Sequence, residues 1–318
     1  MDFPRLDPQM RAALARNDEI VRELGPPTPG IEGVRAQAAA ARAWWNEGGP
    51  AMAQVRDGKV PGPHREIPVR VYVPRRSASP LPACVFFHGG GWRIGSPASN
   101  DRQLRELAEA WGGIVVSADY AHMPEKTFPA PVEEAAAVYG WLARHGCQWG
   151  IDGQRLAFGG NSAGANVAMG AFHAAAQVQG AFRCAAFVVG VFDGDVETQS
   201  MREYGDAGLF PTRESARKTF EDYLGNDANL ADPRFNALQA DSGRLPPVFL
   251  AAAECDVYRD SSAALARRIR EAGRSAELRV YPGMTHLFFG YSRMVDRAAE
   301  CIGDVARFLR EHLPPAND

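Results

Sequence analysis

The chain has 318 residues, with 35 lysines and arginines against 38 aspartates and glutamates and a net charge of -3. That balance excludes a basic nucleic-acid footprint and a polybasic membrane patch, so the expected partner is a small molecule, with no nucleic acid and no stable membrane insertion. The start Met1-Asp2-Phe3-Pro4-Arg5 lacks the basic and apolar segments of a leader, and the five scattered cysteines (Cys84, Cys147, Cys184, Cys255, Cys301) form no metal or redox motif. The expectation is a cytoplasmic protein with reduced thiols, no metal and no cofactor.

In chain order, residues 8–24 place Met10, Leu14, Val21 and Leu24 near helical spacing, and 34–45 is alanine-rich with the pair Trp44-Trp45. Two helices ahead of any strand cannot belong to a sheet, so their apolar faces must cover something else. From Pro61 the texture changes. Strands are expected at 69–73, 83–87, 114–116, 156–159, 185–191, 248–252 and 278–281, separated by helical segments such as 101–111 and 132–145. Strands alternating with helices predict an α/β fold with a mostly parallel central sheet flanked by helices. Between Asp193 and Leu245 the rhythm breaks: one helical patch, Arg213 to Leu224, and a polar stretch through Asp232-Pro233-Arg234. An insertion of that size in an α/β core is expected to be functional.

The chemistry centres on Gly160-Asn161-Ser162-Ala163-Gly164, which follows the strand Leu156-Ala157-Phe158 and leads into a helix. A serine on such a turn has its hydroxyl held out of the sheet, with helix N–H groups beside it. It needs a base, and His286 follows the strand ending at Tyr281, at the end of the sheet where α/β chemistry collects. The base needs an acid. Asp256 lies in the loop beyond strand 248–252 and is preferred to Glu254, while Asp260 looks like a helix N-cap. The order Ser162, Asp256, His286 is that of α/β-hydrolases. His88-Gly89-Gly90-Gly91-Trp92, directly after strand 83–87, supplies a loop whose N–H groups can curl around an oxyanion, together with that of Ala163.

These residues resemble the hormone-sensitive-lipase-like esterases, bacterial family IV of the α/β-hydrolase superfamily. The resemblance spans about residues 65–312 and includes the glycine loop, Phe128-Pro129-Ala130, Gly150-Ile151-Asp152, the serine turn, Asp232-Pro233-Arg234, Asp256, Arg259-Asp260, and Gly283-Met284 with His286. It implies an α/β-hydrolase fold in four stretches: a helical cap segment at 1–50, core at 51–192, a cap insertion at 193–245 and core again at 246–318. It implies a serine carboxylesterase acting on short- to medium-chain esters through an acyl-enzyme, with nucleophile Ser162, base His286, acid Asp256 and an oxyanion hole from Gly89, Gly90, Gly91 and Ala163, in which Gly90, Gly91 and Ala163 are the expected donors. Trp92, Tyr204, Phe210, Phe235, Leu287 and Phe288 are candidate pocket residues. Two departures stand out: Asn161 where the family commonly has aspartate, and Tyr120-Ala121-His122-Met123-Pro124-Glu125 where it has Y-R-L-A-P-E. Lactonase or amidase activity, and a non-catalytic receptor, are the alternatives. Some relatives pair through an edge strand, here 278–281, so a homodimer is possible by analogy.

Overall fold

The computed structural model describes residues 5–315. Residues 1–4, on which the reading of the N-terminus partly rests, and 316–318 lie outside the described residues. Eight strands are present among the described residues: β1 (Gln54–Pro61), β2 (Glu66–Val73), β3 (Leu81–Phe87), β4 (Ile114–Ala118), β5 (Ile151–Asn161), β6 (Phe182–Val188), β7 (Val248–Cys255) and β8 (Ala276–Thr285). They form one sheet in the order β1-β2-β4-β3-β5-β6-β7-β8. The pairs β1·β2 and β2·β4 are antiparallel, and every pairing from β4 to β8 is parallel. After β3 the chain steps one way to β4, then β5 returns to the other side of β3. A crevice opens at the carboxyl ends of the strands at such a reversal.

The central strands are buried on both faces, as their unbroken apolar runs require. In β3, Ala83, Val85 and Phe87 face a core shared with helices α4 (Ala130–His145), α5 (Ala163–Ala174) and α7 (Arg259–Glu271). Cys84 and Phe86 point the other way, into a core shared with α1 (Pro8–Leu24), α2 (Ile31–Asn46), α3 (Asp101–Trp111) and α8 (Asp296–His312). The period of two therefore divides one strand between two cores. Residues 193–245 carry one α-helix, α6 (Arg213–Leu224), among short irregular turns. Among the described residues no helix is long and apolar enough to cross a membrane.

Three local readings change. Strand β1 has no apolar alternation and contains Gly58, so the sequence leaves it unassigned. It is an exposed edge, registered by its ladder to β2 and by Arg70, whose guanidinium spans both oxygens of the opposite Asp57 at 2.6 and 2.8 Å. Strand β6 runs 182–188 rather than 185–191, because Val189 turns to positive φ and the chain passes beneath the serine turn, where Val191 N–H donates to Ser162 O. Residues 296–312, unassigned in the sequence, form α8, which buries Ile302, Val305, Phe308 and Leu309.

Phe158 shows how β5 is anchored. Its ring stacks on Phe172 of α5 at 4.7 Å and meets Tyr139, Phe182 and Phe187 edge-on, and the residue is completely buried. Replacing it with alanine leaves a large cavity directly beneath the serine turn. We expect Phe158→Ala to lower unfolding free energy by about 3–5 kcal/mol in urea denaturation. A loss below about 1 kcal/mol would show that this cluster does not anchor the strand.

Candidate active site

Ser162 sits between the last residue of β5 and the first of α5, at φ 55° and ψ -125°. That conformation is strained for a residue with a Cβ, and its surroundings hold it there. Ser162 N–H donates to Val188 O at 3.0 Å, and its own carbonyl accepts from Ala165 and Val191. The glycine two residues later has a steric cause. A Cβ on Gly164 would stand 2.1 Å from Phe87 O and 2.4 Å from His88 O, so α5 can start this close to β3 only without a side chain there.

His286 and Asp256 arrive from the neighbouring strand ends. His286 Nε2 lies 2.7 Å from Ser162 Oγ, and its Nδ1 lies 3.0 Å from both oxygens of Asp256. Asp256 is 1% and His286 7% exposed. Asp256 Oδ1 also accepts from Tyr258 N–H at 3.1 Å, and the buried Tyr258 ring meets the imidazole edge-on at 5.3 Å. Because a carboxylate can only accept, Nδ1 carries the proton and Nε2 presents its lone pair to the serine hydroxyl. This arrangement can take a proton from Ser162 and hold the resulting imidazolium.

The competing carboxylates have other work. Glu254 accepts from Gly283 N–H at 2.7 Å and so pins the turn that leads to His286. Asp260 is not an N-cap. It lies inside the first turn of α7 and accepts from Ser200 N–H at 2.8 Å, tying the 193–245 segment to the core.

The glycine loop lies against the serine turn. Asn161 Oδ1 accepts from Gly89 N–H at 3.0 Å, which removes Gly89 from the set of free donors. Of the three glycines expected to line the oxyanion hole, Gly89 is thus engaged, and Gly90 and Gly91 remain, with N–H groups that have no partner among the described residues. Gly90 takes φ 128°, and a Cβ there would stand 2.0 Å from Ile94 O. Ala163, first in α5, has no intrahelical acceptor for its N–H. The role of Asn161 was hidden in the sequence, although its place beside the serine marked it as a position to examine.

The candidate pocket residues divide. Trp92 is buried beside the loop, stacked on Tyr223 of α6 at 4.3 Å, with Phe220 and Phe235 adjoining. Leu287, next to His286, is half-buried. Tyr204 is buried, and its hydroxyl accepts from Arg259 at 3.0 Å. Phe288 is fully buried against Tyr281 in the core on the α3 and α8 side, and Phe210 is 61% exposed. Packing thus claims Tyr204 and Phe288, and solvent claims Phe210. Nothing in the sequence marks Thr219, whose methyl would stand 3.7 Å from a Cβ on Gly91, so that α6 overhangs the loop.

The family model described as alpha/beta hydrolase fold matches residues 84–290. The chain belongs to the α/β-hydrolase family. Among the relatives of this hydrolase is the acetyl esterase of Salmonella dublin, 31% identical over 297 residues, covering 91% of this chain and 90% of the other. A thermostable esterase of Pseudomonas putida superposes with a TM-score of 0.87 at 28% identity, over 98% of this chain and 99% of that one. An esterase of Pyrobaculum calidifontis does so with a TM-score of 0.86 at 27% identity, over 96% and 98%.

The Asn161 anchor is open to direct measurement. In Asn161→Ala, hydrogen exchange at the Gly89 amide should accelerate on the order of fivefold, the loss of one hydrogen bond of about 1 kcal/mol. Asn161→Asp keeps the acceptor and should keep the protection. Equal exchange in all three proteins would mean that the side chain does not hold the loop.

Proposed function

We propose that the chain is a serine carboxylesterase in which Ser162 is the nucleophile, His286 the general base and acid, and Asp256 the group that orients and stabilises the imidazolium. The observation that carries this reading is the unbroken contact from Ser162 Oγ through His286 to Asp256, at 2.7 and 3.0 Å. Oγ attacks the ester carbonyl carbon while Nε2 takes its proton. The N–H groups of Gly90, Gly91 and Ala163 receive the oxyanion. The tetrahedral intermediate collapses, the C–O bond to the alcohol breaks, and His286 returns the proton to the departing alkoxide. Water, deprotonated by the same imidazole, then attacks the acyl-enzyme and releases the acid and the free serine.

The helices of 1–50 and the 193–245 insertion form the cap in this reading. Several contacts support it. Arg35 of α2 donates to Arg93 O and Met123 O and pairs with Glu125, which places α2 over the end of the glycine loop. Asp7 N–H donates to Gly283 O in the turn before His286, and Arg93 pairs with Asp222 of α6 at 2.8 Å. Short acyl groups suit this cap best: α6 stands over Gly91, and the relatives include acetyl esterases. The esterase relatives do not favour the lactonase, amidase or receptor readings. Four of the five cysteines are buried and all five are free, which fits a reducing, cytoplasmic setting.

Hydrolysis of p-nitrophenyl esters from acetate to dodecanoate tests this function. The wild type should turn over the short esters best, and Ser162→Ala should lose at least about a thousandfold in kcat. No turnover of any ester by folded wild type would overturn the reading. The homodimer proposal has its own test, since β8 ends the sheet and Val280 on it is 42% exposed. Sedimentation at micromolar concentration should give twice the 34.5 kDa chain mass, and a single species at the chain mass would remove it.

A further inference from the structure

Outside the reacting centre, His88, Asp119 and His122 bring three ligand atoms within 4.8 Å of one another. His88 Nε2 stands 3.5 Å, and His122 Nε2 3.7 Å, from the same oxygen, Asp119 Oδ1. Both nitrogens are buried and lack a hydrogen-bond partner among the described residues. His88 as a whole is 1% exposed. Its Nδ1 is 2.8 Å from Gly89 O, and a carbonyl can only accept, so Nδ1 carries a proton. The unpartnered Nε2 is then directed at a carboxylate oxygen. A lone pair facing an anion is repulsive unless a positive centre lies between them. A shared proton would draw the two atoms to about 2.7–2.9 Å, well inside the observed separation.

A metal ion matches the two separations from Asp119 Oδ1, 3.5 and 3.7 Å. Donors bound at about 2.0–2.2 Å around a tetrahedral cation lie about 3.4 Å apart. Two imidazoles and one carboxylate suit zinc and similar d-block divalent ions. The backbone bond from Nδ1 is the outer-shell contact that fixes a ligating histidine. Charge agrees as well. Arg65 donates to Asp119 Oδ2 at 3.0 Å but is also held by the buried carboxylate of Glu134, which leaves the group one net negative charge for a cation. Asp119 keeps some exposure, so water can reach a fourth position.

We propose that His88 Nε2, His122 Nε2 and Asp119 Oδ1 form a binding site for a divalent d-block cation, of which zinc is the best fit. The site lies behind the glycine loop, with His88 adjoining Gly89 in the chain. A cation there locks the His88 ring and, through Nδ1, the Gly89 peptide. The site is positioning rather than catalytic, and it stands independently of the proposed reaction.

The test uses full-length protein treated with chelator and then titrated with zinc or cobalt(II). At a hundredfold excess over Kd, zinc should raise Tm of the wild type by about 3–5 °C and leave His122→Leu and Asp119→Asn unchanged. Cobalt(II) should give the visible absorption of a tetrahedral site in the wild type alone. Zinc should also shift the imidazole resonances of His88 and His122 in the wild type, a readout that does not depend on either variant folding. Equal Tm responses in folded variants and wild type, no cobalt band, or resonance shifts confined to other histidines would each overturn the site and leave a cation-free imidazole cluster.

Discussion

The organisation of this molecule rests on one close approach, that of the first turn of α5 to the end of β3. Because Gly164 has no side chain, the helix starts against the carbonyls of Phe87 and His88, and Ser162 is forced into a positive-φ turn above the sheet. Strain of this kind costs on the order of 1–3 kcal/mol and persists only where surrounding bonds over-determine it. Here they do: Val188 O, Ala165 N and Val191 N all bond the Ser162 backbone, and the Phe158 cluster fixes the strand beneath. The same approach sets the chain after β3 beside the serine, so the proposed nucleophile and the proposed oxyanion donors share one structural origin.

From that contact the remaining pieces follow by strand order. The ends of β5, β7 and β8 supply Ser162, Asp256 and His286, three points on one edge of a parallel sheet. Glu254 then secures the Gly283 turn, and Asp7 bonds the same turn from the N-terminal segment. The 193–245 segment is tied in both by hydrogen bonds, Ser200 N–H to Asp260 and Asn166 Nδ2 to Phe235 O, and by the aromatic group of Trp92, Phe220, Tyr223 and Phe235, with Arg93 and Asp222 at its margin.

Much of this was legible in the sequence, and the physical reason is that the legible features are local. A continuous apolar run must be a buried strand, and a glycine-flanked serine after one must be a turn. That Ser162, Asp256 and His286 meet could be inferred because strand ends and chain order restrict which residues can come together. The less legible features depend on partners distant in the chain. Strand β1 is polar because its outer face meets water, and its pairing is evident only beside β2. Phe288 and Tyr204 are aromatic for packing, and residue type alone cannot separate a core ring from a pocket ring. Asn161 read as the loss of a carboxylate, whereas its value lies in an acceptor for an amide 72 residues away.

That amide leads to the last point. Both polar groups of Gly89 are occupied: its N–H by Asn161, its C=O by the Nδ1–H of His88. The His88 carbonyl is held in turn by the Tyr120 hydroxyl at 2.9 Å, and the His88 ring stacks on that tyrosine at 4.8 Å. Two consecutive peptides before Gly90 are thus fixed from three directions, and the N–H groups of Gly90 and Gly91, the proposed oxyanion donors, have no partner among the described residues. Electrostatic stabilisation of developing charge is largest when the dipoles need not reorganise as the charge appears. A loop of glycines would by itself be poor at this, since glycine has the greatest conformational freedom to lose. Side chains of other residue types remove that freedom, which is how a glycine-rich loop can serve as a rigid donor.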